Sequence, residues 1–322
     1  MSSSDEARWK SFSETAEFEV ETNEDEYEDP FELVLLSLQS LTPVVLYGPP
    51  GTGKTRLVTQ LTNYLQGQSR LGKLEVVQFH RRFSYEDFIE GYTPTDAGFD
   101  IKDGVFKSFC KSPSEPPLVD VFVIDEMNRA DLAATLGETL YALEDRGERS
   151  VKTAHFGDSF RIPANLLLIG TMNTADKSIA QIDFAVRRRF RFIPLFPDYE
   201  HLRQWLLTFN WTVDEFFLDD YVHFARRTNG RILRHKSLGP HMQLGQSVFV
   251  PADMTSAIDI RSLVRNFREC ILSQVEAYLG LGNTQLLSEI FGPTVANEFA
   301  VKRDVSRSMF AGLVLESLTD RS

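Results

Sequence analysis

The chain has 322 residues, 42% hydrophobic and 25% charged, the proportions of a globular protein long enough for two domains. No apolar run approaches the ~18 residues of a membrane span, and "MSSSDEARWK" carries charge where an export signal needs an apolar core. The net charge of −12 sits mostly at the start: residues 1–30 hold eleven Asp/Glu and two Lys/Arg, which is −9 and leaves −3 for the rest. That excludes the first 30 residues as a duplex-DNA binder, because duplex affinity rests on Lys and Arg at phosphates.

In chain order, residues 1–30 read as a solvated, disordered acidic tail. Five short apolar runs then read as buried strands: "PVVLY" (43–47), "LEVVQF" (74–79), "VDVFVID" (119–125), "NLLLIGTM" (165–172) and "RFRFIPL" (189–195). They are continuous rather than alternating, as when helices cover both faces of a parallel sheet. Between the third and fourth, Leu132, Leu136, Leu140 and Leu143 share one helical face and Gly147 stands as a stop. Strand–helix alternation predicts an α/β sheet with right-handed crossovers. After Pro197 the patterns turn helical, and the aromatics of "FNWTVDEFFLDDYVHF" (209–224) recur at core spacing. The expected layout is an acidic tail (1–30), an α/β nucleotide-binding domain (31–197) and a smaller helical lid domain (198–322). Cys110 and Cys270 have no metal spacing and the six histidines are scattered, so reduced thiols in a cytoplasmic protein are expected, with no histidine metal site.

"GPPGTGKT" (48–55) follows one predicted strand and opens a predicted helix, the context a P-loop requires. Gly48, Gly51 and Gly53 let the backbone wrap a phosphate with its N–H groups inward. Pro49, Pro50, Thr52 and Arg56 complete the candidate nucleotide-contacting run. Lys54 reaches toward the β- and γ-phosphates, the Thr55 hydroxyl toward Mg²⁺, and the helix N-terminus favours the negative charge. "VFVIDE" (121–126) ends an apolar strand in two acids: Asp125 for Mg²⁺, Glu126 to orient or deprotonate water.

"TMNTADKSIAQIDFAVRRRF" (171–190) holds the third part. Asn173–Asp176 imitates the Asn-Lys-x-Asp run that reads guanine, but Thr174 stands where the Lys belongs. One turn can hardly serve both ends of a nucleotide. Asn173, at the C-terminal end of a strand where ligands of parallel sheets bind, reads as a γ-phosphate sensor. Arg187, Arg188 and Arg189 follow at the expected start of the next strand. Either they form a solvated basic edge or they project to a neighbouring subunit's γ-phosphate, where such an Arg accelerates hydrolysis by ~10³–10⁵.

Walker motifs, a sensor Asn and an arginine cluster in this order resemble the AAA+ class. More closely, "VQFHRRFSYEDFIEGYTP" (77–94), "DGVF" (103–106), "FVIDEMNRADLAATLGETLYALED" (122–145) and "IGTMNTADKSIAQIDFAVRRRF" (169–190) resemble the McrB motor subunits of McrBC modification-dependent restriction systems. A weaker echo is "LGPHMQLGQSVF" (238–249). The resemblance implies an AAA+ P-loop NTPase sheet followed by a helical lid, and a homo-hexameric ring hydrolysing GTP (in the wider class, ATP) with Mg²⁺. It also implies a McrC-like nuclease partner, DNA met through partners or the ring, and no membrane. By position, Lys54, Thr55, Asp125, Glu126, Asn173, Arg188 and Arg189 inherit the roles given above. The resemblance adds Asn128 as a water-placing residue and Asp176 as a support of the sensor turn. Lys177 stands where the family commonly has Arg, and Gln246 where its "GHS" lid motif has His. About 30 residues precede the module, so a separate DNA-reading chain is expected. The competing functions are a MoxR-like ATP-driven remodelling chaperone and a nucleotide-gated scaffold without turnover.

Overall fold

The computed structural model describes residues 29–96, 98–175, 182–252, 257–278, 280 and 283–316. The acidic tail up to residue 28, Asp176 and Lys177 lie outside them. The chain divides into two compact units, one of residues 1–47 and 54–194, the other of residues 48–53 and 195–322. The glycine-rich loop thus groups with the helical unit, which nothing in the sequence pattern suggests.

The first unit carries a five-stranded sheet of order β2-β5-β8-β1-β9. Its strands are β1 (Val44–Gly48), β2 (Leu71–Gln78), β5 (Val119–Asp125), β8 (Leu166–Asn173) and β9 (Arg191–Pro194). The β1–β9, β2–β5 and β5–β8 pairs are parallel. All five apolar runs form strands, and this is the AAA+ P-loop architecture expected. Burial follows position in the sheet: β5 and β8 are buried almost throughout, whereas Leu74, Glu75 and Val76 of β2 are exposed. The expectation of a buried strand fails there because β2 is an edge. Helix α1 (Pro30–Ser40) begins with Pro after an Asp29 cap on the Phe31 N–H and buries Val34, Leu35 and Leu38. Helix α2 (Lys54–Gly67) buries Leu57, Val58, Leu61 and Leu65.

Two features depart from the sequence reading. The helix expected over residues 132–146 breaks at Gly137 into two short helices, Leu132–Leu136 and Thr139–Ala142. Gly137 has φ +47°, and a Cβ there would sit 2.9 Å from the Tyr85 ring. The four leucines are nevertheless all buried, so the helical face was read correctly and its continuity was not. Two antiparallel hairpins were not expected: β3 (Glu90–Thr95) with β4 (Gly98–Asp103), and β6 (Ser150–Lys152) with β7 (Ser159–Arg161). A buried lysine joins them. Lys107 Nζ lies 2.5 Å from Glu90 Oε2, 3.1 Å from Asp103 and 3.2 Å from Asp158. Glu90 Oε1 in turn accepts the N–H groups of His155 and Phe156, in the β6–β7 turn, at 3.2 and 3.0 Å. Burial alone would lower the Lys107 pKa, but bonds to Glu90, Asp103 and Asp158 outweigh it and hold the ammonium charged.

In the helical unit, Phe216, Tyr221, Phe224, Phe267 and Phe310 pack as one aromatic cluster, Phe267 and Phe310 with ring centres 5.0 Å apart. The aromatic spacing therefore marked the core, except at exposed Phe217. Two buried asparagines fix the segment after the helix Leu218–Arg234. Asn229 both donates to Leu244 O (2.9 Å) and accepts the Leu244 N–H (2.7 Å), and Asn266 donates to Val248 O (2.9 Å). The basic run 231–236 is partly engaged in packing: Arg231 donates to Ile290 O at 2.6 Å and His235 pairs with Glu289 at 2.8 Å. Among the described residues no helix is long and apolar enough to cross a membrane, and no group of three or more His, Cys, Asp or Glu could hold a metal ion.

Candidate active site

Three strand ends supply the residues. The C-terminal end of β5 carries Asp125, followed at once by Glu126; that of β8 carries Asn173; that of β1 carries Gly48 and leads through the glycine loop into α2 with Lys54 and Thr55. These are the edges at which open α/β sheets place ligands.

Thr171 organises the two acids. Its hydroxyl donates to Asp125 Oδ1 at 2.5 Å and accepts the Glu126 N–H at 3.1 Å. Glu126 sits in the left-handed region, φ 53° and ψ 41°, a conformation that a non-glycine residue holds only where surrounding contacts enforce it. Its carboxylate is held from both sides. Asn173 Nδ2 donates to Oε1 at 3.3 Å, while Gln78 Nε2 and Arg129 Nε reach Oε2 at 3.2 and 2.9 Å. Asn128 Nδ2 donates to Asn173 O at 3.4 Å, tying the turn after β5 to the end of β8. The structure therefore brings Asp125, Glu126, Asn128 and Asn173 into one hydrogen-bonded group.

Lys54 is buried. Desolvation lowers its pKa from 10.5 to about 8, with Asp125 and Glu126 pulling the other way. A polyanion beside a lysine so placed offsets the desolvation of its charge. Thr55 is exposed and Asp125 half-buried. A hydroxyl and a carboxylate are the hard oxygen donors that Mg²⁺ takes.

The arginines separate. Arg187 ends the short helix Phe184–Arg187 and Arg188 caps it, so they precede the strand rather than start it. The Arg189 side chain is 8% exposed, paired with Glu144 at 2.6 Å, and donates to Ala185 O at 2.8 Å. Arg188 is 57% exposed and 3.6 Å from the same Glu144. Thr171, Gln78 and Arg129 were missed by the sequence reading. The register places Gln78 directly opposite Asp125, a neighbour visible only once the strands are ordered.

Residues 43–190 match the AAA domain of the dynein-related subfamily. The chain is 37% identical over 232 residues to the type IV methyl-directed restriction enzyme EcoKMcrB subunit of Escherichia coli (strain K12), covering 69% of this chain and 50% of that protein. It is 22% identical over 244 residues to the type II restriction enzyme BsuMI component YdiS of Bacillus subtilis (strain 168), covering 61% of this chain and 71% of that one. The chain thus spans half the length of the E. coli subunit. The matched stretch contains the glycine loop, both acids, the sensor asparagine and the arginines; residues 43–190 thus carry an AAA domain, and the chain is McrB-like over the part it shares with the E. coli subunit.

Proposed function

We propose that the chain is the ring-forming, Mg²⁺-dependent NTPase motor of a McrBC-like restriction system. In this reading GTP is its fuel, and hydrolysis drives DNA for a nuclease held by a separate McrC-like subunit. The observation that carries the hydrolytic part is the Glu126 carboxylate, held by Asn173 on one oxygen and by Gln78 and Arg129 on the other. A base fixed beside a γ-phosphate sensor suits in-line attack by water, and simple binding needs neither. Thr55 and Asp125 would hold Mg²⁺, which neutralises phosphate charge when bound. Lys54 and the loop residues 48–53 would bind the phosphates, with Arg56 beside them. Asn128 would hold the sensor turn, and Asp176 would support it.

The exposed Arg188 would act on a neighbour's nucleotide, with Arg189 anchoring it through their shared Glu144. The restriction role and the choice of GTP rest on the likeness to the E. coli subunit.

The test is GTP and ATP hydrolysis by the purified chain, side by side, with gel filtration in each nucleotide. GTP-selective turnover with a hexamer-sized species is the expected result. Mixing Arg188→Ala with Lys54→Ala chains should then regain part of the activity, since each supplies what the other lacks. ATP-selective turnover without any response to DNA or a nuclease partner would move the protein to remodelling instead.

Lys54 makes the binding pH-dependent. Bound phosphates raise its pKa above the value of about 8 in the free protein, so affinity is full below pH 8 and falls above it. The fall approaches about tenfold per pH unit. Nucleotide titrations from pH 7 to 9.5 should show that slope, and Lys54→Ala should bind weakly with no slope. A flat wild-type profile would remove Lys54 from the phosphates.

A further inference from the structure

A trans peptide is planar, with its C=O and N–H pointing in opposite directions. Whatever grips the carbonyls of a phosphate loop therefore also aims the N–H groups one residue further on. In the helical unit the loop carbonyls are taken in succession. Thr52 Oγ1 donates to Pro49 O at 2.9 Å. The Gly245 N–H donates to Pro50 O and the Ser247 N–H to Gly51 O, both at 3.2 Å. Gln246 Nε2 donates to Thr52 O at 3.0 Å. Three consecutive residues, 245–247, thus hold the consecutive carbonyls of Pro50, Gly51 and Thr52, and each peptide turns its own N–H, of Gly51, Thr52 or Gly53, away from the donor that holds its carbonyl.

The approach is as close as two backbones allow. A Cβ on Gly245 would come within 2.1 Å of Gly51 C, and one on Gly51, whose φ is +82°, within 2.5 Å of Ser247 Oγ. The gripping segment is itself pinned at both ends, by Asn229 on Leu244 and Asn266 on Val248. Gln246 makes the one side-chain contribution among the three. It is 5% exposed, and its Oε1 accepts the N–H of Asp198 at 3.4 Å. Asp198 caps the helix Tyr199–Leu207 through its bond to the His201 N–H.

We infer that Gln246 is a positioning residue for the nucleotide: its amide fixes the Thr52–Gly53 peptide, and so aims the Gly53 N–H. This rests on the nucleotide-binding reading above. A preformed cradle acts on bound substrate and transition state alike, so losing it raises KM and leaves kcat nearly unchanged.

The experiment compares Gln246→Glu, Gln246→Met and Gln246→His with wild type. Fluorescent methylanthraniloyl-GTP and -ATP are titrated with Mg²⁺, KM and kcat are measured for the unlabelled nucleotide, and unfolding is followed without nucleotide. Glu is nearly isosteric but, once ionised, cannot donate to Thr52 O, and Met removes the donor at every pH without adding charge. Both should raise Kd and KM by about tenfold or more with kcat within about threefold. His keeps a ring N–H donor and should stay within about threefold of wild type. Should Glu fail to fold, Met against His decides the matter. Glu or Met binding as tightly as wild type overturns the inference, as does a fall in kcat with KM unchanged. It is also overturned if His and Met weaken binding equally in proportion to lost stability, the mark of packing alone. Wild type binding neither nucleotide would instead bring down the functional reading itself.

Discussion

Glu126→Gln is expected to lower kcat by about 10²–10⁴ while KM stays within a few-fold of wild type. The amide keeps the shape, and its one carbonyl oxygen can still accept from Gln78 and Arg129, while its NH2 faces Asn173, whose own amide can turn to present its oxygen. What disappears is the capacity to take a proton from water. That loss belongs to the transition state, and kcat rather than KM reports it. Thr171→Val separates position from chemistry. It removes the hydroxyl that bonds both acids and should lower kcat less, with a changed Mg²⁺ dependence through Asp125. Single-turnover hydrolysis with nucleotide binding measured in parallel checks both variants. Glu126→Gln turning over at the wild-type rate would take the base role away from Glu126.

The largest stability effect is expected at Lys107→Met, which leaves the fully buried Glu90 carboxylate without its cation. Breaking a buried pair from one side costs about 3–5 kcal/mol, because the remaining charge stays desolvated. For a unit of this size that lowers Tm by about 6–20 °C. Lys107→Met with Glu90→Gln should recover a good part of the loss. The second change removes the stranded charge and keeps an amide oxygen for the His155 and Phe156 N–H groups. Thermal unfolding of both variants is the measurement. A loss of under about 1 kcal/mol for the single variant would mean that water or a neighbour solvates Glu90, and that the pair does not hold the two hairpins together.

The chain signals its candidate catalytic parts locally. A P-loop works through its own contiguous backbone, so residues 48–55 declare it by spacing alone. A buried parallel strand has to be apolar throughout, so the five runs declared the sheet, and the acids and the amide at strand ends marked its candidate functional edge. The four leucines of 132–143 likewise marked a core face.

What the sequence could not decide depends on which segments become neighbours. Edge or centre for β2 is a matter of strand order, and Val76 carries no mark of it. The break at Gly137 answers to the Tyr85 ring, 52 positions earlier in the chain. Lys107 in "DGVFKSFC" reads as an ordinary polar residue until two hairpins enclose it. Arg188 and Arg189 are adjacent letters, yet Glu144 buries one and leaves the other exposed. The same holds for the glycine-rich loop: its spacing is legible in the sequence, but residues 245–247, which hold its carbonyls, are distant in the chain. Unpaired carbonyls must find donors somewhere, and only the folded chain decides where.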